Sequence, residues 1–119
     1  MEKQQDTEKK IAQLQALEQN LQNFLLQKQN FQTQLVEVEN ALEEVQKSSG
    51  NVYRVIGSVM VLSNKEDIKS DLDSKKEVLS LRIKNLEKQE EKIKEKASKL
   101  QSEVLSQISA DKRGERNDE

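Results

Sequence analysis

The sequence predicts a mainly α fold, an antiparallel two-helix coiled coil with a β-hairpin at the bend. Three observations carry this. Leu14, Leu17, Leu21, Phe24, Phe31, Leu35, Val38, Leu42 and Val45 follow one another in steps of three and four, with Lys28 as the only polar member; that is an a/d seam held for about four heptads. A second seam runs through Leu72, Leu79, Ile83, Leu86, Ile93, Ala97, Leu100 and Val104. Between the two lie Val52-Tyr53-Arg54-Val55-Ile56, then Gly57-Ser58, then Val59-Met60-Val61-Leu62, a β-branched stretch broken by a turn pair.

Each element follows from its residues. The first helix runs from about residue 6 to Lys47. The chain has no proline, so nothing along it removes a donor or clashes with the preceding turn. Ser48-Ser49-Gly50-Asn51 ends the helix, with Gly50 free to take the left-handed conformation of a helix terminus. The hairpin spans residues 52–62, and Gly57-Ser58, with glycine first, has the type II′ pattern. Both of its faces carry apolar side chains, and only Arg54 is plainly polar. A two-stranded hairpin is marginal in water, and its edges invite other strands. Two readings are open: the hairpin folds down on its own helix ends, or hairpins from several chains join in a shared sheet or barrel. The second helix runs from about residue 64 to Ser109, opened by Ser63 and Glu66 at capping-box spacing. Residues 1–110 form one domain. Asp111 to Glu119 are charged and hold no apolar residue, the pattern of a disordered tail.

The hairpin reverses the chain, so the seams meet antiparallel. Val45 falls near Ile68, Leu42 near Leu72, Leu35 near Leu79, Phe31 near Ile83, Leu21 near Ile93, Leu17 near Ala97 and Leu14 near Leu100. Three seam positions are polar: Lys28, Lys76 and Glu90. Either their stems lie on the seam while their heads reach water, or they penalise wrong registers. At the far end Leu105 and Ile108 face polar residues near Asp6 to Lys9, and Ile11 lies one step off the seam near Val104. Ile11, Leu14, Val104, Leu105 and Ile108 thus form apolar surface without a full partner. Such a cluster marks an interaction site, unless the tip simply frays and covers itself.

Composition narrows the function. Of 119 residues 35% are charged, 33% hydrophobic and 3% aromatic, with a mean hydropathy of −0.93; this suits a thin periodic seam rather than a thick core. The net charge of −2 is spread along the chain, unlike the basic stripe of a nucleic-acid protein. Lys94, Lys96 and Lys99 alternate with Glu91, Glu95 and Glu103, a solvated helix face. There is no cysteine or histidine, hence no disulfide, no histidine-based triad and none of the usual zinc ligands. The three glycines are isolated and make no phosphate loop. Adjacent carboxylates such as Glu43-Glu44 diverge by about 100° on a helix and do not converge on a substrate. No apolar run approaches the ~20 residues of a membrane span. We expect a cytoplasmic protein that is not an enzyme, with no cofactor, no metal, no nucleic acid and no membrane partner.

The order helix, single hairpin, helix resembles the β class of prefoldin subunits. The likeness is strongest in Asn51-Val52-Tyr53-Arg54-Val55-Ile56-Gly57-Ser58-Val59-Met60-Val61. It resumes in Leu79-Ser80-Leu81-Arg82-Ile83-Lys84-Asn85-Leu86-Glu87-Lys88-Gln89-Glu90-Glu91-Lys92 and covers about residues 8 to 110. The resemblance implies a hetero-hexamer of α-type and further β subunits whose hairpins build a β-barrel body. It implies an ATP-independent holdase that grips unfolded polypeptides at coiled-coil tips and passes them to a group II chaperonin. Val52, Tyr53, Val55, Ile56, Gly57, Val59 and Val61 would then serve assembly, and Ile11, Leu14, Leu17, Val104, Leu105 and Ile108 would hold clients. The competing reading is a structural tether that docks one defined partner.

Overall fold

The computed structural model describes the backbone of residues 2–117 and the side chains of residues 4–110. The elements are α1 (Glu2–Lys47), β1 (Val52–Ile56), β2 (Val59–Ser63) and α2 (Lys65–Asn117), a mainly helical chain with one small antiparallel sheet. They divide into two compact units, Gln27–Leu86 and Met1–Leu26 with Glu87–Glu119; each unit takes a stretch of both helices.

In the unit Gln27–Leu86, Leu42, Leu79, Ile83 and Leu86 are buried, flanked by half-buried Phe31, Leu35, Val38, Val45 and Leu72. These are the a and d positions, so the burial follows the three-four rhythm of the sequence. The Arg82 guanidinium lies 5.6 Å from the centroid of the Phe31 ring, within cation–π reach. In the hairpin Val52 pairs with Ser63, Tyr53 with Leu62, Arg54 with Val61, Val55 with Met60 and Ile56 with Val59. Gly57 has φ +62°, and no residue other than glycine has positive φ among those described. Positive at the first turn residue and negative at Ser58 is the type II′ turn, whose twist matches that of the strands.

Three features at the ends of elements differ from the sequence reading. Strand β2 runs one residue further, so Ser63 pairs with Val52 and is not the helix cap. Asn64 takes that role: its Oδ1 accepts from the Glu66 amide at 3.0 Å, and its carbonyl accepts from Ile68 at 3.0 Å. Helix α2 starts at Lys65, one residue too late for Ser63 to flank it, so the cap falls to the next short polar residue. At the end of α1, Gly50 does not adopt positive φ. The Ser48 amide instead donates to both Glu44 and Val45 carbonyls, at 3.1 and 3.3 Å, and the Lys65 ammonium donates to the carbonyls of Gln46 (3.3 Å) and Ser48 (3.0 Å). A cation satisfying the last carbonyls does what a left-handed glycine would otherwise do, and it suits the negative helix end. Finally, α2 continues past Ser109 to Asn117, where the sequence suggested a disordered tail. Residues 111–117 include Lys112, Arg113, Glu115 and Arg116, which favour helix, and the lone Gly114 costs about 1 kcal/mol rather than forcing a stop. The last two residues of that tail lie outside the described residues.

In the other unit the seam residues Leu14, Leu17, Leu21, Phe24, Ile93, Ala97 and Leu100 are half-buried, and Val104 is buried. Of the polar seam positions, Lys28 is half-buried, as a stem on the seam with its head in water would be, whereas Lys76 is exposed. Glu90 departs from that reading: it is buried within its unit.

Candidate functional site

Two apolar surfaces stand out, one in each unit. The first is the hairpin. Side chains alternate across a sheet, so Val52, Arg54, Ile56, Val59, Val61 and Ser63 share one face, and Tyr53, Val55, Met60 and Leu62 share the other. Arg54 forms an ion pair with Asp71 on the second turn of α2. This ties the Arg54 face toward the helix, where Val52 and Ser63 are half-buried. The opposite face is open throughout, with Val55 and Met60 each 66% exposed. It carries no charged residue, and the sheet has only two strands among the described residues, which leaves the outer backbone edge of each strand without a strand partner. Of the expected assembly residues, Tyr53, Val55, Ile56, Val59 and Val61 are exposed, Val52 is half-buried, and Gly57 forms the turn.

The second surface lies where the start of α1 runs beside residues 103–108 of α2. Thr7 Oγ1 lies 2.6 Å from Gln107 Oε1, and Thr7 is only 9% exposed. The Lys10 ammonium meets the Glu103 carboxylate at 3.3 Å. Both pairs continue the antiparallel register that places Leu14 near Leu100. The seam therefore extends beyond its last apolar residues, through Lys10 to Thr7 on one helix and to Gln107 on the other. Sequence reasoning stopped at Leu14 and Val104 because it followed apolar residues alone. The signal was present in the spacing, since Lys10 and Thr7 keep the steps of four and three.

This closure changes the expected tip. Val104 is 7% exposed, a core residue rather than open surface, and the Lys10–Glu103 and Thr7–Gln107 pairs hold the helices together on either side of it. Leu14 and Leu17 are half-buried in the seam. Ile11 (37% exposed), Ile108 (38%) and Leu105 (58%) remain at the surface. Ile11 follows Lys10, and Ile108 follows Gln107, each by one residue. A step of one residue turns about 100° around a helix, and in an antiparallel pair the two steps turn to the same side. Leu105, one residue after buried Val104, lies on that side too. The opposite flank carries the Lys10–Glu103 pair and a groove lined by Gln13, Ala16, Leu17, Lys96, Lys99 and Leu100.

No three histidine, cysteine, aspartate or glutamate side chains gather to hold a metal among the described residues. No helix among them is long and apolar enough to cross a membrane. What the chain offers is apolar surface: a sheet with open edges, and a one-sided patch over a zipped helix end.

Comparison with known proteins agrees with this architecture. The family model described as "Prefoldin subunit" matches residues 8–110. The chain is 36% identical over 101 residues to the prefoldin subunit beta of Archaeoglobus fulgidus, covering 83% of this chain and 87% of that one. It is 35% identical over 109 residues to that of Methanospirillum hungatei, covering 90% and 91%. Among solved structures it is similar to the prefoldin beta subunit from Thermococcus strain KS-1, with a TM-score of 0.80 and 32% identity over 85% of this chain and 90% of that one. A single hairpin between two heptad helices, matched over nearly its whole length by β-class relatives, leads to one conclusion: the chain belongs to the prefoldin subunit family.

Proposed function

We propose that this chain is one subunit of a cytoplasmic hetero-hexameric chaperone, a holdase that works without ATP. In this reading the hairpin joins α-type and further β subunits in a barrel body. The helix ends capture unfolded polypeptides and pass them to a group II chaperonin. The observation that carries the proposal is the open apolar hairpin. Two strands with one wholly unoccupied apolar face do not hold together alone in water, and exposed edges accept further strands. Family membership supplies the kind of partner.

The tip residues Ile11, Leu105 and Ile108 supply shallow apolar contacts, supported from the seam side by Leu14, Leu17 and Val104. One such contact is weak. Several tips on one body raise the effective concentration for the next contact, so avidity exceeds any single affinity. Loss of tips one by one to a competing chaperonin would release the client without nucleotide.

Native mass spectrometry of the chain, alone and mixed with an α-type subunit, tests the assembly. A hetero-hexamer is the expected species. A stable folded monomer indifferent to any α-type subunit would instead favour a tether. Val55→Asp is expected to prevent the hexamer, because it places a charge on the open apolar face. Suppression of aggregation of a denatured client should be lost with the hexamer.

A further inference from the structure

We propose that the Arg54–Asp71 ion pair selects which face the hairpin presents to partner strands, and so positions it for assembly. This rests on the assembly reading of the hairpin and adds what sets its orientation. Both faces are apolar. Val52, Ile56, Val59 and Val61 lie on one, and Tyr53, Val55, Met60 and Leu62 on the other. The second set has the larger side chains, so burial alone would turn it toward α2. The structure leaves that set open instead. Arg54 is the one charged residue of either strand, and it stands on the smaller face.

The rest of the fold does little to oppose that preference. The hairpin is anchored at its root, where Val52 and Ser63 are half-buried, Asn64 caps α2 and Lys65 reaches the Gln46 and Ser48 carbonyls. Beyond that rung every residue of both strands is exposed, so little apolar packing pins the hairpin to a helix. Among the described residues, Arg54 to Asp71 is the one side-chain hydrogen bond or ion pair that runs from a strand to a helix. Both partners are partly in water, and such a pair shifts an equilibrium by no more than about fivefold. That is too little to hold a fold together. It is enough to tip a choice between two apolar faces. Apparent affinity scales with the fraction of chains in the competent orientation, so the shift is felt in assembly, once for each copy that joins.

The test uses Arg54→Gln, Asp71→Asn and the exchange Arg54→Asp with Asp71→Arg, each in the full chain. Every variant is titrated against an α-type subunit, with the hetero-oligomer counted by native mass spectrometry. The urea midpoint of the chain alone is read by circular dichroism. Either single variant should need about threefold more chain for half-assembly, and the exchange should restore most of that loss. The urea midpoints should hardly move. A pair that merely stabilised the chain would shift both readouts together, whereas a positioning pair shifts assembly alone. Single variants that assemble like the unsubstituted chain would overturn the proposal. So would a urea midpoint that falls in step with assembly. An exchange that restores nothing would overturn it too, and would make Arg54 or Asp71 a direct contact of the partner subunit. An unsubstituted chain that stays a folded monomer beside the α-type subunit would remove the assembly reading and this inference together.

Discussion

Glycine is decisive at one position of this chain and dispensable at another. Neither Gly50 nor Gly57 has an atom within 4 Å of where a Cβ would stand, so space does not separate them. Conformation does. At φ +62°, Gly57→Ala brings a left-handed penalty of about 1–2 kcal/mol, and it loosens the turn that sets the hairpin register. Gly50→Ala carries no such penalty and is expected to be neutral or to stabilise by about 0.4–1 kcal/mol through the unfolded chain. Urea denaturation of the two variants under identical conditions measures the difference. Arg54 and Asp71 illustrate a second residue-level point. Both are substantially exposed, and exposed ion pairs contribute only about 0–1 kcal/mol. The pair matters for which hairpin face turns toward α2, more than for how tightly the chain folds.

At the scale of the element, the junction between β2 and α2 decides where the second helix starts. Ser63 and Asn64 are both good capping residues, and the spacing to Glu66 favours the serine. The ladder commits Ser63 to Val52, which leaves Asn64 to cap. Asn64→Ala should therefore cost about 1 kcal/mol, and Ser63→Ala distinctly less, as read from denaturation midpoints. Lys65, the next residue, closes the end of α1 by donating to Gln46 and Ser48. Two helix termini are thus satisfied by two consecutive residues. Lys65→Met keeps the apolar stem but removes the donor. It should lower stability by about 1 kcal/mol, the net worth of a typical hydrogen bond.

For the whole molecule, stability and assembly are expected to be linked. Among the described residues few are buried, as suits a thin seam, and one apolar face of the hairpin stays open. If partner strands complete that sheet, folding and association draw on the same free energy, and the melting temperature should rise with protein concentration. Circular dichroism melts over a hundredfold dilution series check this. A melting temperature independent of concentration would mean that the hairpin needs no partner.

The sequence by itself determined the helices, their antiparallel register and the hairpin with its turn type, because each is written in a local period or a single φ requirement. Leu42, Leu79, Ile83 and Leu86 are buried where the three-four rhythm places them. The tertiary structure alone decided what happens at the ends of those patterns. Ser63 gave up the cap because a strand partner claimed it. Gly50 was not needed in the left-handed region because a lysine 15 residues later reaches back to the carbonyls. Val104 became core where Lys10, Thr7 and Gln107 continue the seam in polar residues, which a pattern of apolar residues alone passes over. Periodicity reports what lies along an element; which groups satisfy its ends depends on neighbours distant in sequence, and only folding brings those together.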